Sequence, residues 1–355
     1  MKDYTGKTVF LGIDVHKSSY SVAAMCEGAI VKQVNMEACP QKLLAFCHKY
    51  FAGASIKSAY EAGFSGFHLH RILVKNGIEN IVVHAAGMEV ASGDRVKTDK
   101  RDSKKIAVQL AAGRLRGNHV PDEDREAKRA ITRLRESLME HRTAVANQIK
   151  ALLHLRGLIP PKEKARVSAK WLEKVQAKEG FTNLPPEISS VFETLKTFWE
   201  FLTTQINETK EKMAIQAIED EEVERVYRSA PGIGPVGART LANELGDMSH
   251  FENERQVFSI TGMTPSEHSS GGYVRKGRIS RQGKAIVRKI LVLAAWKAIK
   301  YDLHLQEVFD RIAAKAGSKR AIVAVARRLI GHIRACFKKL CLYEVKRKTL
   351  VASVT

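Results

Sequence analysis

Apolar residues in the first third of the chain form short runs that alternate with helical patterns. Runs rich in β-branched residues predict strands at 8–15, 19–26, 29–36, 55–62 and 80–86. Apolar residues at helical spacing predict helices at 40–50, 66–77 and 98–115. The first third therefore has the pattern of an α/β domain with three early strands.

That order of elements, three strands followed by a helix, a strand, a helix, a strand and a helix, is the order of an RNase H-like domain with a mixed sheet. We expect this domain over residues 1–120. Long charged helical patterns at 122–156 and 186–217 predict a helical arm over 121–220, either an antiparallel hairpin or a coiled-coil dimer arm. Plain helical packing explains the same pattern equally well.

A third, mostly helical domain is expected over residues 221–355. It opens with two helical segments joined by Pro231-Gly232-Ile233-Gly234-Pro235, which is typical of a helix-hairpin-helix. Gly232 and Gly234 permit a tight turn, and the amides that start the following helix are able to bind a phosphate. In the simpler interpretation this hairpin only packs against its neighbours.

The charge balance points to a polyanionic partner. The 355 residues carry a formal net charge of +21, which attracts nucleic acid or an anionic membrane surface. No apolar run approaches the roughly 18 residues that span a bilayer, and the N-terminus lacks the pattern of a signal peptide. The five cysteines are odd in number and contain no CxxC pair. We therefore expect a cytoplasmic, nucleic-acid-binding protein with reduced thiols and no membrane partner.

Four carboxylates in the first domain suggest a catalytic centre. Asp14 closes the first predicted strand, Glu61 follows another apolar run, and Asp99 and Asp102 open a helix three residues apart, on one face. A role in stabilising the helix N-terminus explains the presence of either Asp99 or Asp102 more easily than the presence of both. Four acids around one site repel unless divalent cations are present, and carboxylate oxygens suit Mg²⁺ or Mn²⁺. Such ions support phosphoryl chemistry on nucleic acid.

A basic block near residue 275 adds a candidate nucleophile. Ser269 and Ser270 precede a glycine pair, and seven cations without an acid follow. A run of cations without an acid favours phosphate binding. A serine hydroxyl that is activated by a base or a metal is able to attack phosphorus. His268 is a possible base, although these serines are equally explained as loop residues. The predicted nucleic-acid contacts are Lys97, Gly232, Gly234, Arg275, Lys276, Arg278, Arg281, Lys284 and Arg288.

These motifs together resemble one family, the DEDD transposases of bacterial insertion sequences (the IS-one-ten and IS-eleven-eleven groups). The matching segments are GIDVHK, YEAG, KTDKRDSKKIA, APGIGPVGARTLANELGDMSHF and GMTPSEHSSGG with GRISRQGKAIVRKIL, and they extend over nearly the whole chain. The resemblance implies a RuvC-like first domain whose Asp14, Glu61, Asp99 and Asp102 bind Mg²⁺, a coiled-coil linker, and a C-terminal domain with a nucleophilic serine.

The resemblance further implies DNA recombination guided by a structured non-coding RNA, the bridge RNA, which pairs with donor and target DNA. The serine before Gly271 is Ser270, and Ser269 is its nearest rival. The distance in sequence between Asp102 and Ser270 favours a composite site in a dimer or tetramer. Two alternatives stay open: a RuvC-like metal-dependent endonuclease that uses the same acids to activate water, and a non-catalytic nucleic-acid-binding protein.

Overall fold

The computed structural model describes residues 2–84, 99–267 and 275–346. For Asp99 and Lys276 it describes the backbone but not the side chain. The chain divides into two compact units, Met1–Pro121 and Asp122–Thr355. Four residues that the sequence singles out, Lys97, His268, Ser269 and Ser270, lie outside the described residues. The predicted boundary at residue 220 stays a prediction.

The first unit is built on a five-stranded mixed sheet in the order β3-β2-β1-β4-β5. The strands β1 to β3 pair antiparallel, whereas β4 pairs parallel with both β1 and β5. The bounds of its elements are β1 Thr8–Val15, β2 Ser19–Cys26, β3 Ala29–Glu37, α1 Pro40–Tyr50, β4 Ser55–Glu61, α2 His68–Lys75, β5 Glu79–Val83 and α3 Asp99–Ala111. The expectation of an α/β RNase H-like domain is confirmed at the level of this sheet and its helices.

Successive side chains of the central strand β1 point to opposite faces of the sheet. Val9, Leu11 and Ile13 are fully buried in a core that also contains Leu43 of α1 and Leu73 of α2. Between them, Gly12 faces α3, so close that a Cβ atom there would lie 2.0 Å from the carbonyl oxygen of Ser103. The sheet is therefore covered by α1 and α2 on one face and by α3 on the other.

The second unit begins with two long helices, α4 (Glu123–Leu155) and α7 (Pro186–Glu219), which pack against each other. The side chain of Asp122 caps α4 by accepting a hydrogen bond from the amide of Arg125. The two long helices match the sequence prediction closely. The proline-marked connection between them contains two short helices, α5 (Ala169–Gln176) and α6 (Glu179–Thr182), which close an apolar cluster around Phe192 and Ile149.

The remainder of the second unit is helical, as expected, with one small two-stranded sheet. Its core is centred on α9, α11 and α13, with residues such as Leu241, Leu291 and Leu329 fully buried. Its elements are α8 Glu221–Ser229, α9 Pro235–Leu245, α10 Glu254–Ile260, β6 Pro265–Glu267, β7 Lys276–Ile279, α11 Ala285–Ala298, α12 Leu303–Ala316 and α13 Ser318–Lys339. Among the described residues, no helix is both long and apolar enough to cross a membrane.

Candidate active site

Asp14 and Glu61 lie at the ends of neighbouring parallel strands, β1 and β4. Ile13 pairs with Tyr60, and both of these side chains are buried in the core under α1 and α2. The next residue of each strand is Asp14 and Glu61, so alternation turns both carboxylates to the opposite face, the one covered by α3. The two acids therefore share one face at one edge of the sheet.

Helix α3 brings its first turn to this same edge. The hydroxyl of Ser103 lies 3.3 Å from the hydroxyl of Ser21, and Ser21 is the residue of β2 that pairs with Asp14. The side-chain amide of Gln33 on β3 donates to the carbonyl of Lys100 at 2.6 Å. Because these contacts hold the turn from 100 to 103 against the strands, Asp102 lies on the sheet face that carries Asp14.

The four predicted acids are not equally described by the structure. Asp14 is mostly buried, with a side chain 19% exposed, while Glu61 and Asp102 are half-buried. Asp99 is the first residue of α3, and only its backbone is described. Asp14 and Glu61 thus end neighbouring strands on one face of the sheet, and Asp102 and the backbone of Asp99 belong to α3, the helix that covers this face.

His16 is a neighbour of Asp14 that the sequence analysis did not select. Its Nε2 lies 3.2 Å from Oδ2 of Asp14. The two residues are separated by one position at the end of β1, and side chains two apart along a strand share a face. The two-residue spacing of Asp14 and His16 in the GIDVHK segment could have identified His16 from the sequence.

The residue type of the four predicted acids fits a hard divalent cation. Carboxylate oxygens are the ligands that Mg²⁺ and Mn²⁺ prefer. Within the described residues, no group of three or more His, Cys, Asp or Glu side chains is close enough to hold a metal ion. The side chain of Asp99, the fourth member of the predicted set, lies outside the described part of the structure.

The predicted serine segment is the connection of a hairpin in the second unit. Strands β6 and β7 pair antiparallel, and residues 268–274 between them, with Ser269 and Ser270, lie outside the described residues. The base of the hairpin is closely packed: a Cβ atom on Gly283, where φ is +124°, would lie 2.3 Å from the carbonyl oxygen of Ile260. The amide of Lys284 donates to that same carbonyl at 2.7 Å.

The predicted phosphate-binding cations fall into two groups. Arg275, Arg278 and Arg281 are exposed near the hairpin, whereas Arg288 donates to the carbonyl of Thr261 and Lys284 points into the protein. Only the backbone of Lys276 is described, and Lys97 lies outside the described residues. The exposed arginines are thus the described members of the basic block that are available to a phosphate; phosphate binding by Lys284 and Arg288 stays a prediction.

Lys284 belongs to a buried ion network that the sequence analysis missed. Its ammonium lies 2.6 Å from Oε2 of Glu244, a side chain with no exposed surface, and Arg133 of α4 binds the same carboxylate at 2.8 and 3.1 Å. Arg129 donates to the backbone carbonyl of Glu244 at 2.9 Å. The network therefore connects α4, α9 and the segment that begins α11.

The pKa values in this network reflect burial and an excess of cations. Burial lowers the pKa of Lys284 to about 8; Glu244 opposes this shift, and the neighbouring guanidiniums of Arg129 and Arg133 add to it. Burial raises the pKa of Glu244, but its contacts with Arg133 and Lys284 outweigh burial, so the pKa lies below its ordinary value. The Glu244 carboxylate is therefore held in its charged form.

The glycines of the predicted helix-hairpin-helix differ in their surroundings. Gly232 has a φ of +84°, and a Cβ atom there would lie 2.4 Å from the carbonyl oxygen of Ala294 in α11. Close packing against α11 therefore requires glycine at position 232. Gly234 precedes α9 with no atom within 4 Å of a built Cβ, and no side chain caps that helix. Phosphate binding at this turn stays a prediction.

Two family models match the chain. The model of DEDD transposases of the IS110 type, described as Transposase, matches residues 11–157, and the model described as Transposase IS116/IS110/IS902 family matches residues 224–310. The first match contains Asp14, Glu61, Asp99 and Asp102. The second contains the serine hairpin and, of the buried ion network, Glu244 and Lys284.

Curated relatives extend the similarity along the chain. The putative transposase y4qE of Sinorhizobium fredii is 30% identical over 303 residues, which are 82% of this chain and 72% of that protein. The transposase for insertion sequence element IS1111A of Coxiella burnetii is 28% identical over 65% of this chain and 64% of its own length. The transposase for IS1533 of Leptospira borgpetersenii is 25% identical over 97% of this chain and 99% of its own. From these matches, the chain belongs to the IS116/IS110/IS902 family of transposases.

Proposed function

We propose that this protein cuts and rejoins DNA for an insertion sequence, using the carboxylates Asp14, Glu61, Asp99 and Asp102 together with Ser270. The observation that supports the proposal is that Asp14 and Glu61 end neighbouring parallel strands on the face that α3, the helix of Asp99 and Asp102, covers. Carboxylates at these positions, in a chain of net charge +21, suit ligands for cations that act on a polyanion.

The four acids would hold Mg²⁺ or Mn²⁺, as the oxygen donor set favours. Bound there, a divalent ion would supply Lewis-acid stabilisation of the negative charge that develops on a phosphodiester. The contribution of the chain is to orient its carboxylates. His16, 3.2 Å from Asp14, would fix the direction of that carboxylate by donating to Oδ2. The contact of α3 with Gly12 would fix the position of Asp102.

The serine would act as the nucleophile in cutting and rejoining. Its Oγ would bond to the scissile phosphorus as the phosphorus–oxygen bond to the departing sugar breaks, and the hydroxyl proton would pass to that sugar oxygen. Rejoining is the same exchange with another sugar hydroxyl as the attacking group. One phosphoester replaces another in each step, so no nucleotide cofactor is consumed. Exposed Arg275, Arg278 and Arg281 beside the hairpin would contact the DNA backbone.

We further propose three partners: donor DNA, target DNA and a structured non-coding guide RNA that pairs with both. The length of chain between Asp102 and Ser270 favours a site completed by two protomers in a dimer or tetramer. Sequencing the RNA that co-purifies with the full chain tests the guide. RNA complementary to the DNA that flanks the element is expected, and RNA without such complementarity would contradict this part of the proposal.

The acids are tested by DNA cleavage in Mg²⁺. Asp102→Asn should abolish cleavage and leave nucleic-acid binding largely intact, because the variant keeps the fold and loses one ligand charge. Glu79→Gln is the matched control, since this exposed acid starts β5 at the opposite edge of the same sheet. Full cleavage by Asp102→Asn, or by the wild type in EDTA, would refute the metal-binding role.

The nucleophile is tested by trapping the covalent adduct on labelled DNA in denaturing gels. The wild type should form a protein–DNA adduct that Ser270→Ala does not form. An adduct that persists in Ser270→Ala and disappears in Ser269→Ala would move the role by one residue. Cleavage with free 5′-phosphate ends and no adduct in any protein would favour the metal-dependent endonuclease instead.

A further inference from the structure

One exposed face of α11 combines apolar side chains with positive charge. Lys289, Leu293 and Trp296 follow one another at spacings of four and three residues, so they lie on the same face of the helix. Leu293 is 60% exposed and Trp296 is 42% exposed. Lys297 and Lys300, in and just after the last turn, are exposed beside this row. We refer to these five residues as the Trp–Lys face; none of them belongs to the catalytic set or to the predicted nucleic-acid contacts.

The ring of Trp296 is oriented by a neighbouring helix. It packs edge-on against Phe309 of α12, with ring centroids 5.7 Å apart and an angle of 61° between the ring planes. The helix beneath it is fixed as well, because Ala295 and Ala298 are fully buried in the core of the second unit. An oriented aromatic ring loses little side-chain entropy when a partner binds to its open surface. Trp296 therefore has the properties of a stacking platform.

The charges of α11 are all positive, because the helix contains no acidic residue. Lys289 pairs with Glu136 of α4. Within the described part of the chain, Lys297 and Lys300 form no ion pair, so both are available to a partner. The neighbouring helix α12 carries two acids and, besides one histidine, two cations, so it does not cancel this charge. The Trp–Lys face therefore suits a polyanion.

The combination of an aromatic ring with free lysines selects between two kinds of partner. If two copies of the chain met symmetrically through this face, the lysines of one copy would lie against those of the other, which is unfavourable. Single-stranded nucleic acid satisfies both features, since its bases stack on aromatic rings and its phosphates bind cations. The bases of duplex DNA stack on one another, whereas the loops of a folded RNA present unpaired bases.

We propose that the Trp–Lys face of α11 binds an unpaired segment of the guide RNA, with one base stacked on Trp296 and neighbouring phosphates bound by Lys297 and Lys300. Leu293 extends the apolar surface next to the stacked base. The inference rests on the proposed function, because it assumes a structured RNA partner. It adds to that function a place on the second unit at which the RNA is held.

Stacking is tested by fluorescence anisotropy of the full chain with two short, unstructured oligoribonucleotides. One has all its bases, and the other has the same length and charge but abasic sites at its centre. Trp296→Ala should weaken binding of the first by about 5- to 100-fold, the loss of one base–aromatic stack, and change binding of the second little. Trp296→Phe keeps an aromatic ring and should retain most of the affinity. Phe201→Ala, which removes an exposed ring from α7, is the matched control and should bind both like the wild type.

The lysines give a second test that does not alter the packing of Trp296 on Phe309. Lys300→Gln should reduce the log–log salt slope for the intact oligoribonucleotide by about 0.7, the contribution of one phosphate contact on a single strand. Lys170→Gln removes an exposed lysine from α5 and should keep the wild-type slope. An unchanged slope in Lys300→Gln would remove that residue from the site.

The source of the strand is tested by ultraviolet cross-linking of the full chain with its co-purified RNA and with duplex DNA that flanks the element. Mass spectrometry should find a ribonucleotide attached to the peptide that contains Trp296. A deoxyribonucleotide on that peptide would overturn the assignment to RNA.

Wild-type affinity of Trp296→Ala for the intact oligoribonucleotide would overturn the inference, and so would an equal loss on both oligonucleotides. A change of oligomeric state in analytical ultracentrifugation, without a loss that depends on the bases, would show an interface between copies instead. DNA cleavage that depends on Asp102 is measured with the same preparation. Cleavage without stacking on Trp296 would therefore overturn the RNA site alone and keep the proposed function intact.

Discussion

Replacing Gly12 by alanine should move two of the proposed catalytic acids, Asp14 and Asp102, apart without changing either side chain. The built Cβ lies 2.0 Å from the carbonyl oxygen of Ser103 and 2.3 Å from the amide nitrogen of Ala107. Ordinary contact begins at 3.4 Å, so the difference, 3.4 minus 2.0, requires a displacement of 1.4 Å. Both obstructing atoms belong to the backbone of α3, and no side-chain rotation relieves the clash.

The displacement moves Asp102 relative to Asp14, because Asp102 directly precedes Ser103 in α3. A misplacement of about 1 Å in a catalytic group is able to cost about a hundredfold in rate. We therefore expect Gly12→Ala to lose Mg²⁺-dependent DNA cleavage by about this factor. Overpacking should also lower the free energy of unfolding by about 1–3 kcal/mol. Affinity for nucleic acid should change little, since the basic block lies in the second unit.

A variant with similar destabilisation but no displacement of α3 provides the control. Gly77, between α2 and β5, has a φ of +77° and nothing within 4 Å of a built Cβ. Gly77→Ala should cost about 1–2 kcal/mol from backbone strain alone and keep its cleavage rate below the melting temperature. Cleavage at the wild-type rate by Gly12→Ala, or an equal loss in both variants, would refute the role of the α3 contact.

Three further predictions concern charge and burial. Affinity for nucleic acid should fall steeply with salt, by about 0.9 in the log–log slope for each phosphate contact on duplex DNA; a slope near zero would contradict the charge argument. Glu244→Ala should lower the free energy of unfolding in urea by about 3–5 kcal/mol, since it leaves buried cations unpaired, whereas exposed Glu222→Gln should cost less than about 0.5 kcal/mol. The thiol of Cys47 should resist alkylation because burial raises its pKa to about 12, while exposed Cys341 reacts; equal labelling of the two by peptide mass spectrometry would count against this.

Elements with a strong local pattern were predictable from the sequence. The strands around Asp14 and the long helices α4 and α7 begin and end within a few residues of the predicted positions. The short helices α5 and α6 were not predicted, because the prolines near them suggested breaks and each helix has eight residues or fewer. Their stability comes from packing on the long helices, which a local pattern does not reveal.

The candidate site was predictable as a set of residue types but not as an arrangement. The positions of Asp14 and Glu61 at strand ends were visible in the sequence, whereas the face that they share follows from the pairing of β1 with β4. Lys284 was read as one member of a run of cations. Its partner Glu244 lies 40 residues earlier in the chain, so no local count of charges was able to identify the pair.

The shared carboxylate of Glu244 also constrains how this protein is able to evolve. Loss of Glu244 would leave the cations of Lys284 and Arg133 without their shared carboxylate, while loss of a cation would remove part of what keeps a fully buried carboxylate ionised. A lineage that changes one of these residues alone passes through a less stable ancestor before a compensating change arises. We therefore expect positions 133, 244 and 284 to covary among homologues, as epistatic partners rather than independent sites.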